Sequence, residues 1–463
     1  MSARGNFSSR IGFILAAAGS AVGLGNIWKF PFEVADGGGA AFVFIYLIFA
    51  FILCFPVMVT EVAIGRKTEK NPIGAFNDLG FKRWNIIGKL GILCGVLILS
   101  FYNVVAGWAF GYFLEMIVGN FGVGEAFGSF TSDIVKVGGY AVVFMFTTAY
   151  IVSKGVSGGI ERLAKILMPT LIIMILSLVA YSFTLPHAFE GVKYYLVPDL
   201  SKLTNVDTIG GALRQAFFSL SLGMGALITY GSYLSKKENI VSSSAFITLF
   251  DVGIAFIAGL MMFPLVAYNL GGEMSNVQGG AGLIFVTLPG VFETLGSTLG
   301  MIVGAFFFLL LSFAALTSTV SLLEVPVSYV VDEYKMKRNK AVIIMSVLIF
   351  VIGLPSLVGN GYSEFFSTAF ALPGGSSDFM TLVGYITDVL LMFGGFLIVT
   401  FAAYVWKKHN LAAEISQGYP GFENSNVKKF LNFCISYLCP VVLGILCIVV
   451  IFNNFFGINL LGG

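Results

Sequence analysis

Eleven apolar runs, each long enough to cross a bilayer, limit this chain more than any other feature. They cover residues 11–34, 41–64, 86–118, 137–153, 163–184, 208–233, 241–270, 297–331, 341–358, 379–405 and 430–456. A membrane span needs roughly 20 apolar residues. Backbone polar groups at that depth must be satisfied within the segment, which leaves the helix as the spanning element. The composition agrees, with 57% hydrophobic and 11% charged residues, where a soluble domain carries about 25% charged residues. Several runs exceed the bilayer thickness, so tilt is expected. The first run is too long and glycine-rich for a signal peptide, and no cleavable leader is expected. The five cysteines (Cys54, Cys94, Cys434, Cys439, Cys447) fall in apolar runs without metal-ligand spacing and read as buried thiols.

Charge placement orients the spans. With loops numbered alternately from the N-terminus, 21 of the 26 Lys and Arg residues share one side. The other side holds only Lys136, Lys193 and Lys202, while Lys29 and Arg214 lie inside runs. The basic side is expected to be cytoplasmic. A missed or invented helix would scramble this segregation, so it supports the count of eleven. An odd count puts the N-terminus inside and the C-terminus outside. The outer stretches 185–207 and 271–296 read as lids over a vestibule or as plain connectors.

Two runs carry the same interruption. The first reads Gly19-Ser20-Ala21-Val22-Gly23-Leu24-Gly25-Asn26 and the sixth Ser219-Leu220-Ser221-Leu222-Gly223-Met224-Gly225. Glycine inside a helix costs about 1 kcal/mol relative to alanine. Close helix packing would account for one such motif. Two of them, opening the two halves of a ten-helix unit, point to unwound helices. Carbonyls ending one half-helix can hold a cation, and N–H groups starting the other can hold an anion. Paired interruptions in two halves are the mark of a secondary transporter's binding site.

The residues around these breaks resemble the neurotransmitter:sodium symporter family, on the fold of the bacterial leucine transporter. The matching text includes Arg10-Ile11-Gly12-Phe13-Ile14-Leu15, Ala21-Val22-Gly23-Leu24-Gly25-Asn26-Ile27-Trp28-Lys29-Phe30-Pro31 and Gly37-Gly38-Gly39. It continues in Gly159-Ile160-Glu161-Arg162, Met168-Pro169-Thr170, Phe217-Phe218-Ser219-Leu220-Ser221-Leu222-Gly223 and Ala315-Leu316-Thr317-Ser318. The resemblance runs from about residue 4 to 405. It implies an all-α polytopic fold of about eleven transmembrane helices, a 5+5 inverted repeat with helices 1 and 6 unwound. The organisation expected is a first repeat over 1–184, an outer loop over 185–207, a second repeat over 208–405, and a cytoplasmic linker with helix 11 over 406–463. It also implies a multi-pass protein of a bacterial cytoplasmic membrane.

Ala314, Thr317 and Ser318 stand at i, i+3 and i+4 and share one helix face. Their oxygens suit a hard cation, although Thr and Ser also bond back to their own helix. The resemblance implies a sodium ion held by Thr317, Ser318 and the carbonyls of Ala314, Gly19 and Val22. It implies a second sodium site from Ala21, Asn26, Ser219 and Asp251. Asp251, an acid inside an apolar helix, is a functional candidate by its cost alone, with Lys29 or Arg214 as the alternative structural partners. Many family members have asparagine there.

For the substrate, the amides of Leu24 and Gly25 could bind a carboxylate, joined by Tyr102. The carbonyls of Ala21 and Phe218, with Ser221, would take the amino group. Ile98, Phe218, Met224, Ser318 and Leu322 would line the side-chain end, with Ser219 close by. Gly23 replaces the aspartate of amine-carrying members and leaves room for a substrate carboxylate, which favours an amino acid. The adaptable Met224 and Ile98 favour large hydrophobic or aromatic ones. Ala255, one turn from Asp251, lacks the serine hydroxyl of chloride-requiring members. No chloride is therefore expected, and Asp251 is expected to supply the counter-charge and to exchange sodium for a proton on the empty return.

Arg4 and Asp332 match an inner gate pair, with Phe7 and Tyr233 beside them. Lys29 matches an outer gate cation whose acid is open: alignment puts Gly384 there, flanked by Asp378 and Asp388. Glu61 matches an acid that braces the unwound segments. The function expected is sodium-coupled amino-acid import by alternating access, with helices 1, 2, 6 and 7 rocking against 3, 4, 8 and 9. The partners expected are the amino acid, two sodium ions and the bilayer, and no nucleic acid. The oligomeric state is left open. A channel would need a continuous polar pore, and a sensor a signalling domain. An enzyme is not expected, since the two histidines, His187 and His409, both lie in loops.

Overall fold

The computed structural model describes residues 6–277, 283–373, 375–458 and 460. Chain order gives α1 (Arg10–Ala21), α2 (Gly25–Asp36), α3 (Ala40–Thr68), α4 (Lys82–Ile117), α5 (Ile134–Ser153) and α6 (Val156–Ser182). Next come α7 (Ala188–Leu196), α8 (Val206–Ser219), α9 (Ala226–Gly231), α10 (Ile240–Asn269), α11 (Leu288–Thr294) and α12 (Ser297–Tyr334). The series ends with α13 (Arg338–Val358), α14 (Phe379–Val405), α15 (Lys408–Ser416) and α16 (Asn426–Phe456).

Among the described residues nine helices are long and apolar enough to cross a membrane, and α1 with α2 makes a tenth, bent span. The sixth run supplies the eleventh, as α8 and α9 separated by residues 220–225. Short polar side chains start several helices where the sequence changes from polar to apolar. Ser9 accepts from the amide of Gly12, Asn239 from Ser242 and Asp378 from Thr381. Bulky side chains such as Phe146, Ile173, Ile343 and Tyr437 stay exposed on the outer surface, as lipid-facing positions should.

The architecture departs from the sequence reading in detail. The two outer stretches contain short helices, α7 and α11. The segment between α13 and α14 forms a hairpin of β1 (Phe370–Leu372) and β2 (Gly375–Ser377), paired antiparallel, so the chain is not wholly helical. Three-residue strands are too short to leave a period-two pattern.

The two halves of the molecule meet at the second break. Gly91 on α4 lies so close that a Cβ there would stand 3.1 Å from the Gly225 nitrogen. From the other side, a Cβ on Gly394 of α14 would stand 3.2 Å from the carbonyl carbon of Gly223. The unwound segment is thus clamped between α4 and α14 by backbone contact that larger residues would prevent.

Candidate functional site

α1 ends at Ala21 because Val22 turns extended, at φ −72° and ψ 106°. The chain restarts as a π-helical turn at Gly25, and the halves diverge by 48°. Single π-turns inside helices cluster at functional sites. In the second break Ser221 has a φ of 54° and Gly223 and Gly225 a φ of 76°. Such positive φ favours glycine, and a serine there is a local strain that surrounding structure must hold. Two bonds hold it. The Ser221 hydroxyl donates to the Ser20 carbonyl (3.0 Å), and the Ser221 amide to the Phe218 carbonyl (3.2 Å). Glu61 on α3 braces the same segment, accepting from the Gly223 amide at 2.8 Å.

A small cavity lies between the breaks. It holds ≈ 290 Å³ of atom-free space. Nine residues expected from the sequence line it: Ala21, Gly25, Ile98, Tyr102, Phe218, Ser221, Met224, Ser318 and Leu322. Ser20 joins them, unforeseen. Gly23, Leu24 and Ser219 are not among the lining residues. A Cβ on Gly23 would fall against the Ser318 hydroxyl and 2.6 Å from that of Tyr102. The Leu24 amide, expected to face a carboxylate, donates to the Tyr102 hydroxyl (2.7 Å).

Two oxygen-rich clusters lie next to the breaks. At one, the Thr317 hydroxyl lies 2.9 Å from the Ala314 carbonyl and 3.2 Å from that of Val22. The Ser318 hydroxyl lies 3.4 Å from the Ser20 carbonyl. Gly19 packs against Thr317, whose Cβ is 3.5 Å from a Cβ built on the glycine. Thr317 therefore bonds back to its own helix, as threonine commonly does, and reaches across to the broken helix as well.

The other cluster surrounds Asp251 on α10, which has no exposed surface. Its carboxylate accepts from the Asn26 side-chain amide (2.7 Å), the Ser219 hydroxyl (2.8 and 3.0 Å) and the Tyr46 hydroxyl (3.2 Å). Tyr46 was not foreseen, since a tyrosine in an apolar run reads as packing. Asn26 differs from expectation in one respect. Its oxygen accepts from the Gly23 amide (3.0 Å), and its nitrogen faces Asp251. To ligate a cation through oxygen, this amide must rotate. Ala255 lies one turn along α10 from Asp251, with no hydroxyl.

Lys29 and Arg214, the alternative partners of Asp251, both go elsewhere. The Lys29 ammonium is 3.9 Å from one oxygen of Asp388 and the Arg214 Nε 3.9 Å from the other. The acid facing Lys29 is thus one helical turn beyond Gly384, whose own Cβ position meets nothing within 4 Å. Asp378 instead caps α14.

The opposite, basic face carries the buried pairs. Arg66 at the end of α3 bonds the Glu414 carboxylate on α15 (2.7 Å) and the Glu238 carbonyl (2.6 Å). Arg338 forks onto Glu324, which also accepts from the Tyr233 hydroxyl (2.7 Å). These contacts join the ends of spans two, six and ten on one face, as the alternation of loops requires. Asp332 accepts from Asn71 at 3.1 Å, and its expected partner Arg4 lies outside the described residues. Phe7 packs edge-on against Tyr233.

Residues 4–134 and 125–457 match the family described as SNF, the Sodium:neurotransmitter symporter family. The chain is 35% identical over 463 residues to the uncharacterized sodium-dependent transporter YhdH of Bacillus subtilis (strain 168), with 98% of each chain covered. It is 34% identical over 392 residues to the uncharacterized sodium-dependent transporter MJ1319 of Methanocaldococcus jannaschii, covering 80% of this chain and 79% of that one. The crystal structure of MhsT in complex with L-phenylalanine matches with a TM-score of 0.87 at 39% identity, over 96% of this chain and 99% of that chain. The expected leucine-transporter-type fold with a broken first helix is the fold adopted. The family is one of transporters, not of enzymes. This chain belongs to the sodium:neurotransmitter symporter family.

Proposed function

We propose that the protein imports a large hydrophobic or aromatic amino acid together with sodium, by alternating access. One observation carries this reading. Asp251 is a fully buried carboxylate met only by neutral donors among the bonds described, and two of those donors, Asn26 and Ser219, directly follow the cavity-lining Gly25 and Phe218 in sequence. A buried charge without a counter-charge is heavily penalised, so the site calls for a cation or a proton. Asp251, Ser219 and, after rotation, Asn26 would hold one sodium ion, with Ala21 and the substrate carboxylate. Thr317, Ser318 and the carbonyls of Ala314, Val22 and Gly19 would hold the other. A substrate carboxylate would displace the Leu24–Tyr102 bond and take both donors. Phe218, Met224, Ile98 and Leu322 would accept an apolar side chain, and the flexible Met224 would yield to admit a large one. The phenylalanine bound by MhsT supports this substrate class.

Without chloride, Asp251 supplies the negative charge, and it would carry a proton back when sodium has left. The basic face would lie in the cytoplasm of a bacterial cell, with the N-terminus inside and the C-terminus outside. Lys29 with Asp388 would form the outer gate, and Arg4 with Asp332 the inner one.

The test is uptake of L-phenylalanine into proteoliposomes. Accumulation should require an inward sodium gradient, and equal uptake in potassium or choline medium would end the reading. Thr317→Val with Ser318→Ala should abolish transport in a folded protein. Tyrosine, tryptophan and leucine should compete ahead of glycine or glutamate. Replacing chloride with gluconate should leave uptake unchanged. Asp251→Asn with Ala255→Ser should weaken uptake in gluconate and recover part of it in chloride. If that variant ignores chloride, the counter-charge lies elsewhere.

A further inference from the structure

We propose that Arg214 is a second gating cation, so that one carboxylate on α14 draws the outer halves of both broken helices shut together. The proposal rests on the alternating-access reading above. Lys29 stands on α2, the outer half of the first broken helix, and Arg214 on α8, the outer half of the second. Each cation takes a different oxygen of Asp388, at 3.9 Å. The carboxylate therefore bridges, and neither cation displaces the other. Gly384, one turn earlier on α14, could not serve. Nothing lies within 4 Å of its Cβ position, whereas Asp388 sits where the two side chains converge.

Two cations on one acid leave a positive excess, and Glu33 balances it. Gly211 on α8 has no side chain, and Glu33 and Arg214 both lie close to its Cβ position. A Cβ built on Gly211 would stand 3.5 Å from the Glu33 carboxylate and 3.6 Å from the Arg214 guanidinium. Arg214 thus joins α8 to Asp388 on α14, with Glu33 of α2 close by. The gate also touches the cavity. The Lys29 ammonium lies 4.4 Å from the centre of the Phe218 ring, and Phe218 lines the cavity. Closing the gate sets Phe218 over the cavity, and closing it fully requires α2 and α8 to arrive together. A single pair would hold α2 and leave α8 to swing. Arginine suits this place, because its charge is permanent and its planar fork matches a carboxylate.

Each ion pair is partly exposed, with side-chain exposures of 14–22%. Such pairs are individually weak, so removing one should shift a population and leave the fold intact. The experiment measures the outer opening directly, without reference to any substrate. Spin labels are placed on exposed positions flanking α8 and α14, through Thr204→Cys and Ser376→Cys, in the full-length protein in sodium buffer. Arg214→Gln should raise the population of the longer, open distance about three- to fivefold, the shift a partly exposed ion pair supports. Arg214→Lys should restore most of the short distance. In an Asp388→Asn background Arg214→Gln should add nothing, since both act through the same acid. An unchanged distance distribution in Arg214→Gln would overturn the proposal. So would a full additional shift in the Asp388→Asn background, which would place Arg214's effect at another partner. If sodium-dependent uptake fails while the labels respond as described, the transport reading falls and the double tether stands.

Discussion

The two ends of the molecule handle charge in opposite ways. On the basic face Arg66 and Glu414 pair at 2.7 Å with no exposed surface, and Arg66 also bonds the Glu238 carbonyl. Glu324, equally buried, takes both Arg338 and the Tyr233 hydroxyl. On the other face Lys29, Arg214 and Asp388 stand 3.9 Å apart and keep 14–22% of their side-chain surface in contact with solvent. Breaking a buried pair strands a charge in a medium that cannot solvate it, whereas water replaces an exposed partner at little cost. The basic face is therefore held shut by contacts that are expensive to open. The opposite face is closed by contacts that thermal motion can part. On the alternating-access reading, the molecule would open first away from the basic face.

The largest test of this contrast is stability. Arg66→Ala should cost about 3–5 kcal/mol, because it leaves Glu414 buried without its cation. Denaturant or thermal unfolding in detergent would measure it, and a loss under about 1 kcal/mol would put the pair in the weak class and erase the comparison. Arg66→Met with Glu414→Leu should recover much of the loss, since apolar isosteres avoid the desolvation. Glu324→Gln comes next. It keeps an acceptor for Tyr233 but removes the charge facing Arg338, and hydrogen bonds to charged groups contribute about 1.5–3 kcal/mol. The same variant should raise the inward-open population, read by labelling a cysteine introduced below Phe7. A variant as closed and as stable as the parent would show that Glu324 does not hold this face.

How much of this the sequence announced follows from the range of each interaction. The spans were legible because hydrophobicity acts run by run. Both breaks were legible because glycine pairs at mid-depth are costly and had to be used. The cavity was legible through residues adjacent in sequence to the breaks, and nine of its linings were named in advance. The basic-face clamp was not, since Arg66 and Glu414 lie 348 residues apart and no local pattern links them. The acid facing Lys29 was left open between Asp378 and Asp388, with alignment on Gly384, and Asp388 is the one that faces it. Its register depends on how deep α14 sits, which is set by Gly394 packing on the backbone of Gly223. The orientation of the Asn26 amide was not legible, because it follows from the Gly23 amide turned toward it by the break.

The smallest expected effect sharpens the comparison most, because it asks one face to be nearly silent. Asp388→Asn removes the acid shared by Lys29 and Arg214. Exposed pairs contribute about 0–1 kcal/mol, so unfolding should change by no more than that, well below the loss from Arg66→Ala. The variant should nonetheless release bound amino acid outward faster, because the gate governs opening more than folding. Salt separates the two faces further. At 1 M ionic strength the screening length falls to about 3 Å, less than the separation of the outer charges, while buried pairs are screened little. Raising ionic strength with choline chloride at fixed sodium should therefore make the parent behave like Asp388→Asn at the outer gate. The penalty of Arg66→Ala should stay as it was. If Asp388→Asn destabilises the protein as strongly as Arg66→Ala, or if salt weakens both faces alike, the two ends are built on the same principle and the outer face is no thin gate.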